Sequence, residues 1–253
     1  ILERARQAGQ SEFFDYVERR PFIGLVEEKP VRALAALTDA ARKGDVPRAF
    51  WSAFLHAEKR KTDPARLART IGGRLASLPP AALSTIAYPA AEWLHALGER
   101  LFGELATVLD RLWDPLMAAL PLRDDDRKHR VDSSWANDAL NAPAGKLASL
   151  LMKDPSTKGR EMGQGFPEGW TRRHEQLLTL PGDMRRHALV MLGFQINWLF
   201  AIAPDWTTAN LLSVVDDEGD DGDALWDGIL WAARAPSRVL YERLKPGLLA
   251  RAM

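Results

Sequence analysis

The chain has 253 residues, of which 46% are hydrophobic and 27% charged, values that are ordinary for a globular protein with a sizeable buried core. Its 34 basic and 34 acidic residues balance, so no net charge draws it to nucleic acid or to an anionic membrane. It contains no cysteine, which excludes disulfides, thiolate catalysis and cysteine-ligated zinc and fits a reducing cytoplasm. We therefore expect a cytoplasmic protein that binds neither nucleic acid nor membrane.

The N-terminal half shows helical periodicity from its first residues. Ile1 and the residues after it read as the middle of a helix, which indicates a piece of a longer protein. The dipeptide Asp63-Pro64 is typical of a helix start. Further on, the leucines and tryptophans of 93–113 predict one continuous helical face, which Pro115 either kinks or ends.

Two polar segments, 123–134 and 153–169, interrupt the pattern in the C-terminal half. The apolar run 188–203 is shorter than a membrane span and predicts a helix buried in the core. The predicted helices of this half are 172–179, 184–202, 207–214, 224–233 and 237–250.

Because almost no segment alternates like a strand, the sequence predicts an all-α protein of about a dozen helices. Segments 77–94 and 179–199 each run from Leu-Pro through an apolar helix to Trp-Leu, an echo that favours an irregular HEAT-like solenoid. A compact helical bundle is the alternative. We expect one helical array over 1–253, which can be subdivided into 1–120 and 135–253 joined by a charged loop.

Several short motifs approach ligand-binding signatures without completing them. Gly145-Lys146 resembles the end of a phosphate-binding loop, but Leu140 and Leu147 replace the glycine and the hydroxyl that such a loop requires. We interpret Gly145 as a position where a neighbouring helix approaches closely. The acidic run 216–223 lacks the ligands of a calcium loop, and we interpret it as a mobile, solvated loop. The sequence predicts no catalytic residue, no metal site and no cofactor.

Two Arg-Arg-His clusters on consecutive predicted helices are candidates for a partner-binding surface. If these helices pack antiparallel, both clusters line one patch able to hold phosphate or acidic side chains. In the alternative, the clusters are solvated first turns whose arginines pair with Glu175 and Asp183. The clusters consist of Arg172, Arg173 and His174, and of Arg185, Arg186 and His187.

The nine tryptophans fall into two main groups. Five lie on apolar helical faces and are predicted to be core residues: Trp93, Trp113, Trp198, Trp226 and Trp231. Three lie where a loop meets a helix, where they either pack in the core or anchor a partner: Trp135, Trp170 and Trp206. Trp135 and Trp170 join the candidate partner-binding residues.

Three segments of the C-terminal half carry a resemblance. They are WANDALNAPAGKLASLLMKDP (135–155), LPGDMRRHALVMLGFQINWLFAIAPDW (180–206) and LWDGILWAARAPSRVLYERLKPGLLARA (225–252). In this order they resemble the helical region that follows a sirtuin-like NAD-hydrolase domain in bacterial anti-phage defence proteins. The Asn-x-Pro-Ala-Gly-Lys-Leu-Ala and Trp-Leu-Phe-Ala-Ile-x-Pro-x-Trp elements are its most recognisable parts.

The resemblance implies a non-catalytic sensor or assembly arm of an NAD-depleting effector. A phage-derived trigger, or self-association, would shift the attached NAD-consuming domain toward its active state. Two alternatives remain open at this point: a purely structural oligomerisation domain, and a hydrolase or phosphate-handling enzyme built around the Arg-Arg-His clusters.

Overall fold

The computed structural model describes residues 20–122 and 134–252, and every regular element in these two ranges is helical. The predicted all-α class is therefore confirmed, with sixteen α-helices in the described ranges rather than about a dozen. The chain divides into two compact units, Ile1–Asp124 (unit 1) and Asp125–Met253 (unit 2). The choice between a solenoid and a bundle stays a prediction, and most of the predicted charged break, residues 123–133, lies outside the described residues.

Unit 1 contains eight of these helices, and short 3-10 turns follow two of them, at Gly98–Phe102 and Leu120–Leu122. The helices are α1 (Arg20–Glu28), α2 (Pro30–Arg42), α3 (Arg48–Phe54), α4 (Ala57–Arg60), α5 (Ala65–Ala76), α6 (Pro80–Thr85), α7 (Ala87–Leu97) and α8 (Ala106–Ala119).

The predicted continuous helical face over 93–113 is wrong. Helix α7 ends at Leu97, and Gly98 follows with a φ of 56°, a conformation that favours glycine and stops the helix. Helix α8 then begins at Ala106, and Pro115 lies inside it without ending it. The apolar spacing continues across the break because both helices bury leucines in the same core.

Unit 2 contains the other eight helices, with 3-10 turns at Pro155–Thr157 and Leu212–Val214. They are α9 (Trp135–Leu140), α10 (Pro143–Leu151), α11 (Glu168–Leu178), α12 (Asp183–Phe194), α13 (Ile196–Ile202), α14 (Pro204–Asn210), α15 (Asp220–Trp231) and α16 (Arg238–Ala252). The predicted helix 184–202 is thus two helices, separated at Gln195.

Glycines allow the helices of unit 2 to approach closely. A Cβ atom at Gly145 would overlap the carbonyl group of Ala139, so the packing role predicted for this glycine is confirmed. Helices α12 and α15 approach each other in the same way. A Cβ at Gly193 would lie 2.5 Å from the carbonyl oxygen of Leu225, and one at Gly228 would overlap that of Val190.

The tryptophans predicted to be core residues have different environments. Trp93, Trp113 and Trp226 are buried, as expected, and Trp198 is partly exposed. The prediction for Trp231 is wrong, because its side chain is 40% exposed at the end of α15. Its ring contacts Phe194 at a centroid distance of 4.7 Å, so only part of the indole is covered.

Residues 188–193 of the apolar run are buried, as its composition predicts, whereas 194, 195, 197, 198, 200 and 201 are partly exposed. Among the helices that the structure describes, none combines the length and apolar character that crossing a bilayer requires.

Candidate functional site

The second Arg-Arg-His cluster and Trp135 meet where α9, α12 and α15 pack together. Trp135 is the first residue of α9, and the hydroxyl of Ser134 caps that helix by accepting from the Asn137 amide at 3.3 Å. The amide of Ala136 donates to Oδ2 of Asp227 in α15 at 3.1 Å. Two hydrogen bonds therefore fix the start of α9, and with it the tryptophan.

Trp135 contacts two members of the cluster. The guanidinium carbon of Arg186 is 5.4 Å from the centroid of the indole, within the range of a cation–π contact. The ring of His187 approaches edge-on, at a centroid distance of 6.2 Å and an angle of 62°. Trp135 and His187 are both partly exposed. The structure thus brings Trp135 into contact with Arg186 and His187, two predicted site residues that lie far from it in the sequence.

The arginines of this cluster are held by carboxylates. Arg186 Nη1 lies 2.8 Å from Oδ1 of Asp183 and 3.0 Å from Oδ2 of Asp220, while its Nε lies 3.1 Å from Oδ1 of Asp221. Arg185 Nε lies 3.1 Å from the other oxygen of Asp221. Two cations thus face three carboxylates, so the expected cationic patch is absent at this cluster. The predicted pairing with Asp183 is confirmed for Arg186.

The carboxylates also affect how firmly Arg186 holds its proton. Partial burial lowers the pKa of Arg186, but its hydrogen bonds to Asp183 and Asp221, together with the charge of Asp220, raise it by more. The pKa therefore lies above its ordinary value, and Arg186 is a permanent cation whose orientation is fixed by three acids.

The acidic run is not the mobile, solvated loop that we expected, at least from Asp220 onward. Asp220, Asp221 and Asp223 form the first turn of α15, where the positive end of the helix dipole favours acids. Asp223 pairs with Arg251 of α16 at 3.2 Å. A row of acids directly before an apolar helical pattern is a start signal, and it could have identified these residues.

The first cluster lies in a different environment. Arg172 is exposed and Arg173 is partly buried, but His174 is completely buried. The His174 ring packs on Trp170, with centroids 3.8 Å apart, and its Nδ1 lies 3.0 Å from the carbonyl oxygen of Trp170. Trp170 is also buried, and its Nε1 donates to the carbonyl of Leu151 at 3.0 Å. The predicted surface roles of His174 and Trp170 are therefore wrong.

Burial determines the charge of His174. Desolvation lowers its pKa to about 3, and the carbonyls of Trp170 and Ala148 offset only part of this effect. Its Nε2 is buried and has no hydrogen-bond partner of good geometry. The ring is neutral at physiological pH and contributes packing rather than charge.

Three further aromatic residues complete the cluster around Trp170. Phe166 stacks on it at 4.1 Å, Trp198 lies 4.8 Å from Phe166, and Trp206 lies 5.5 Å from Trp170. Trp206 Nε1 donates to Oε1 of Glu175 at 2.8 Å. Glu175, which was a candidate partner of the cluster arginines, therefore accepts a hydrogen bond from an indole instead. The predicted loop 153–169 runs over this cluster, and its amides at 163 and 165 donate to the carbonyls of α13 residues 201 and 202.

Unit 1 has an open groove of about 380 Å³ between α5 and α8, which the sequence did not indicate. Its polar wall comprises Arg69, Glu104, Thr107 and Arg111, and Arg69 donates to the carbonyl of Glu104 at 2.8 Å. Within residues 20–122 and 134–252, no group of three histidine or carboxylate side chains is placed to hold a metal ion.

No protein-family model, no curated protein and no solved structure matches this chain.

Proposed function

We propose that the chain is a non-catalytic protein-interaction module, and that its partner binds the surface formed by Trp135, Arg185, Arg186 and His187, the Trp135 surface. The observation that supports this proposal is the contact of Trp135 with both Arg186 and His187. Tryptophan and arginine are the residues most enriched among those that dominate binding energies. Because three carboxylates already orient Arg186, its side chain loses little conformational freedom on binding.

The charges around Trp135 indicate which partner fits. Asp183 and Asp220 remain 40% and 59% exposed beside the arginines, and the group carries one more carboxylate than cation. A partner with basic side chains around an apolar contact is therefore complementary to this surface. The acidic partner that the sequence favoured fits it less well.

The resemblance of the C-terminal segments supports a regulatory role for the module. In this proposal it is the sensor or assembly arm of an NAD-depleting anti-phage effector in the bacterial cytoplasm. A phage-derived protein that binds the Trp135 surface more tightly in the active state shifts the effector toward that state. The environments of the clusters favour binding over phosphate handling, since Arg185 and Arg186 are occupied by carboxylates and His174 is neutral and buried.

The test is Trp135→Ala in the full-length protein that carries this region, with cellular NAD measured during phage infection. Removing the aromatic anchor should weaken partner binding by at least about tenfold, or about 1.4 kcal/mol, and should therefore reduce infection-triggered NAD loss. Phe102→Ala is the matched control, because it removes an aromatic ring that is also partly exposed but lies in unit 1. Undiminished NAD loss in a folded Trp135→Ala protein would rule out this surface.

A further inference from the structure

Helices α15 and α16 form an antiparallel pair, the α15–α16 hairpin (residues 220–252). A Cβ atom at Gly247 would lie 2.6 Å from Cζ2 of Trp226, so the second half of α16 contacts the middle of α15 through this indole. Arg251 reaches Asp223 at 3.2 Å and lies over the Trp226 ring at 5.1 Å. The end of α16 therefore lies beside the beginning of α15, and the start of α16 beside the end of α15.

The two ends of the hairpin carry opposite charges. At the connecting end, Arg234 and Arg238 are exposed, as are Leu230, Trp231 and Val239, which are 58%, 40% and 66% accessible. We call this the basic end.

At the opposite end the chain enters α15 through Asp216, Asp217 and Glu218, all of them exposed, and we call this the acidic end. Within the described part of the chain, Arg234, Arg238, Asp216 and Glu218 form neither an ion pair nor a side-chain hydrogen bond. Four charges thus remain without internal compensation, two at each end.

The outer face of α16 connects the two ends. Leu240, Leu244 and Gly247 are buried, so helical geometry places Glu242, Lys245 and Leu249 on the opposite side, where all three are exposed. Leu249 is 56% accessible and Tyr241, on the flank of this face, 41%. The face therefore presents apolar side chains together with one charge of each sign.

We propose that two copies of this chain associate through the outer faces of their α15–α16 hairpins, antiparallel and related by a twofold axis. In this arrangement the basic end of each copy contacts the acidic end of the other, and the symmetry makes every contact twice. Charge selects the orientation, because pairing equal ends would bring four arginines together and leave the acids unpaired. Near the axis, Glu242 of each copy faces Lys245 of the other.

The size of the outer face of α16 determines how strongly the two copies should associate. A helix of 15 residues is about 22 Å long, so a contact centred on α16 belongs to the smaller class of interfaces. We expect dissociation constants of about 10–100 µM at low salt, with weaker association as salt screens the exposed charges. This proposal does not rest on the Trp135 surface.

Sedimentation equilibrium of the 253-residue chain tests the proposal through charge reversal. The variants Asp216→Lys with Glu218→Lys, and Arg234→Glu with Arg238→Glu, should each weaken dimerisation at least about tenfold. An equimolar mixture of the two variants should restore it, because each reversed end then meets a complementary end. The quadruple variant should also dimerise, since it exchanges the signs within every contact.

Arg66→Glu with Arg111→Glu is the matched control for the arginine reversal, because it makes the same change in net charge but lies on exposed positions of unit 1 and should leave dimerisation unchanged. The proposal is overturned if the wild-type chain stays monomeric at about 500 µM, or if mixing fails to restore dimers of variants that keep their helical circular dichroism. Trp135→Ala should leave dimerisation unchanged, so failure of the Trp135 surface and failure of this interface are separate results.

Discussion

The two Arg-Arg-His clusters of unit 2 have the same sequence but different environments. His174 is buried with a pKa of about 3, whereas His187 is partly exposed beside Trp135. Arg172 is exposed, whereas Arg186 is bound by three carboxylates.

The difference follows from where each cluster lies on its helix. The first cluster is in the middle of α11, and His174 follows the buried Trp170 by one helical turn, so both point to the core. The second cluster is in the first turn of α12, where Asp183 of the same turn and Asp220 and Asp221 at the start of α15 supply its carboxylates. A short motif therefore does not define a site until its helical face and its neighbouring helix are known.

The largest contrast should appear when each histidine is truncated. His174→Ala removes a fully buried ring from the Trp170 cluster and should lower the free energy of unfolding by about 3 kcal/mol. His187→Ala removes a partly exposed ring and should cost about 0.5 kcal/mol. Urea denaturation of both variants measures these values. Equal losses of unfolding free energy would show that the two histidines do not differ in burial.

Burial of His174 should also make the free energy of unfolding depend on pH. The pKa of His174 in the folded chain, about 3, lies below its ordinary 6.5, so between these values the unfolded chain binds a proton that the folded chain does not. The contribution of His174 is therefore fully present above pH 6.5 and is lost as the pH falls toward 3. Between these two pH values the free energy of unfolding should fall by up to about 1.4 kcal/mol for each pH unit.

Urea midpoints between pH 7.5 and 4.5 should fall more steeply for the wild-type chain than for His174→Gln, which cannot titrate there. Leu177→Ala serves as the control, because it removes a buried, non-titrating side chain from the same helix and should retain the wild-type slope. A His174→Gln protein with an unchanged slope would mean that the buried ring is not the source of the pH dependence.

Helical periodicity was sufficient to predict the all-α class, since nearly every helix buries a regular stripe of apolar residues. The role of Gly145 was also predictable, because a glycine within such a stripe indicates close approach. The ends of the helices were harder to predict from the sequence. The break at Gly98 depends on one positive φ, while the apolar spacing around it continues undisturbed.

The site was only partly predictable. Trp135 and the second cluster were singled out separately, but their contact depends on the packing of α9, α12 and α15, which no local pattern encodes. Asp220 and Asp221 were assigned to solvent because like charges usually are, whereas here α15 brings them to Arg186. The exposure of Trp231 depends on where α16 packs, which is also a long-range feature.

The smallest expected effect is the difference in stability between removing Arg186 and removing Arg172. Arg186→Leu leaves Asp183, Asp220 and Asp221 without their shared cation, and should lower the free energy of unfolding by about 1 kcal/mol, because solvent screens this partly exposed network. Arg172→Leu, at an exposed position on α11, should change it by less than about 0.3 kcal/mol. Denaturation at low and at about 1 M salt checks the cause, because screening should reduce the difference between the two variants. A difference that persists at high salt would indicate that Arg186 stabilises the chain by packing on Trp135 rather than by its charge.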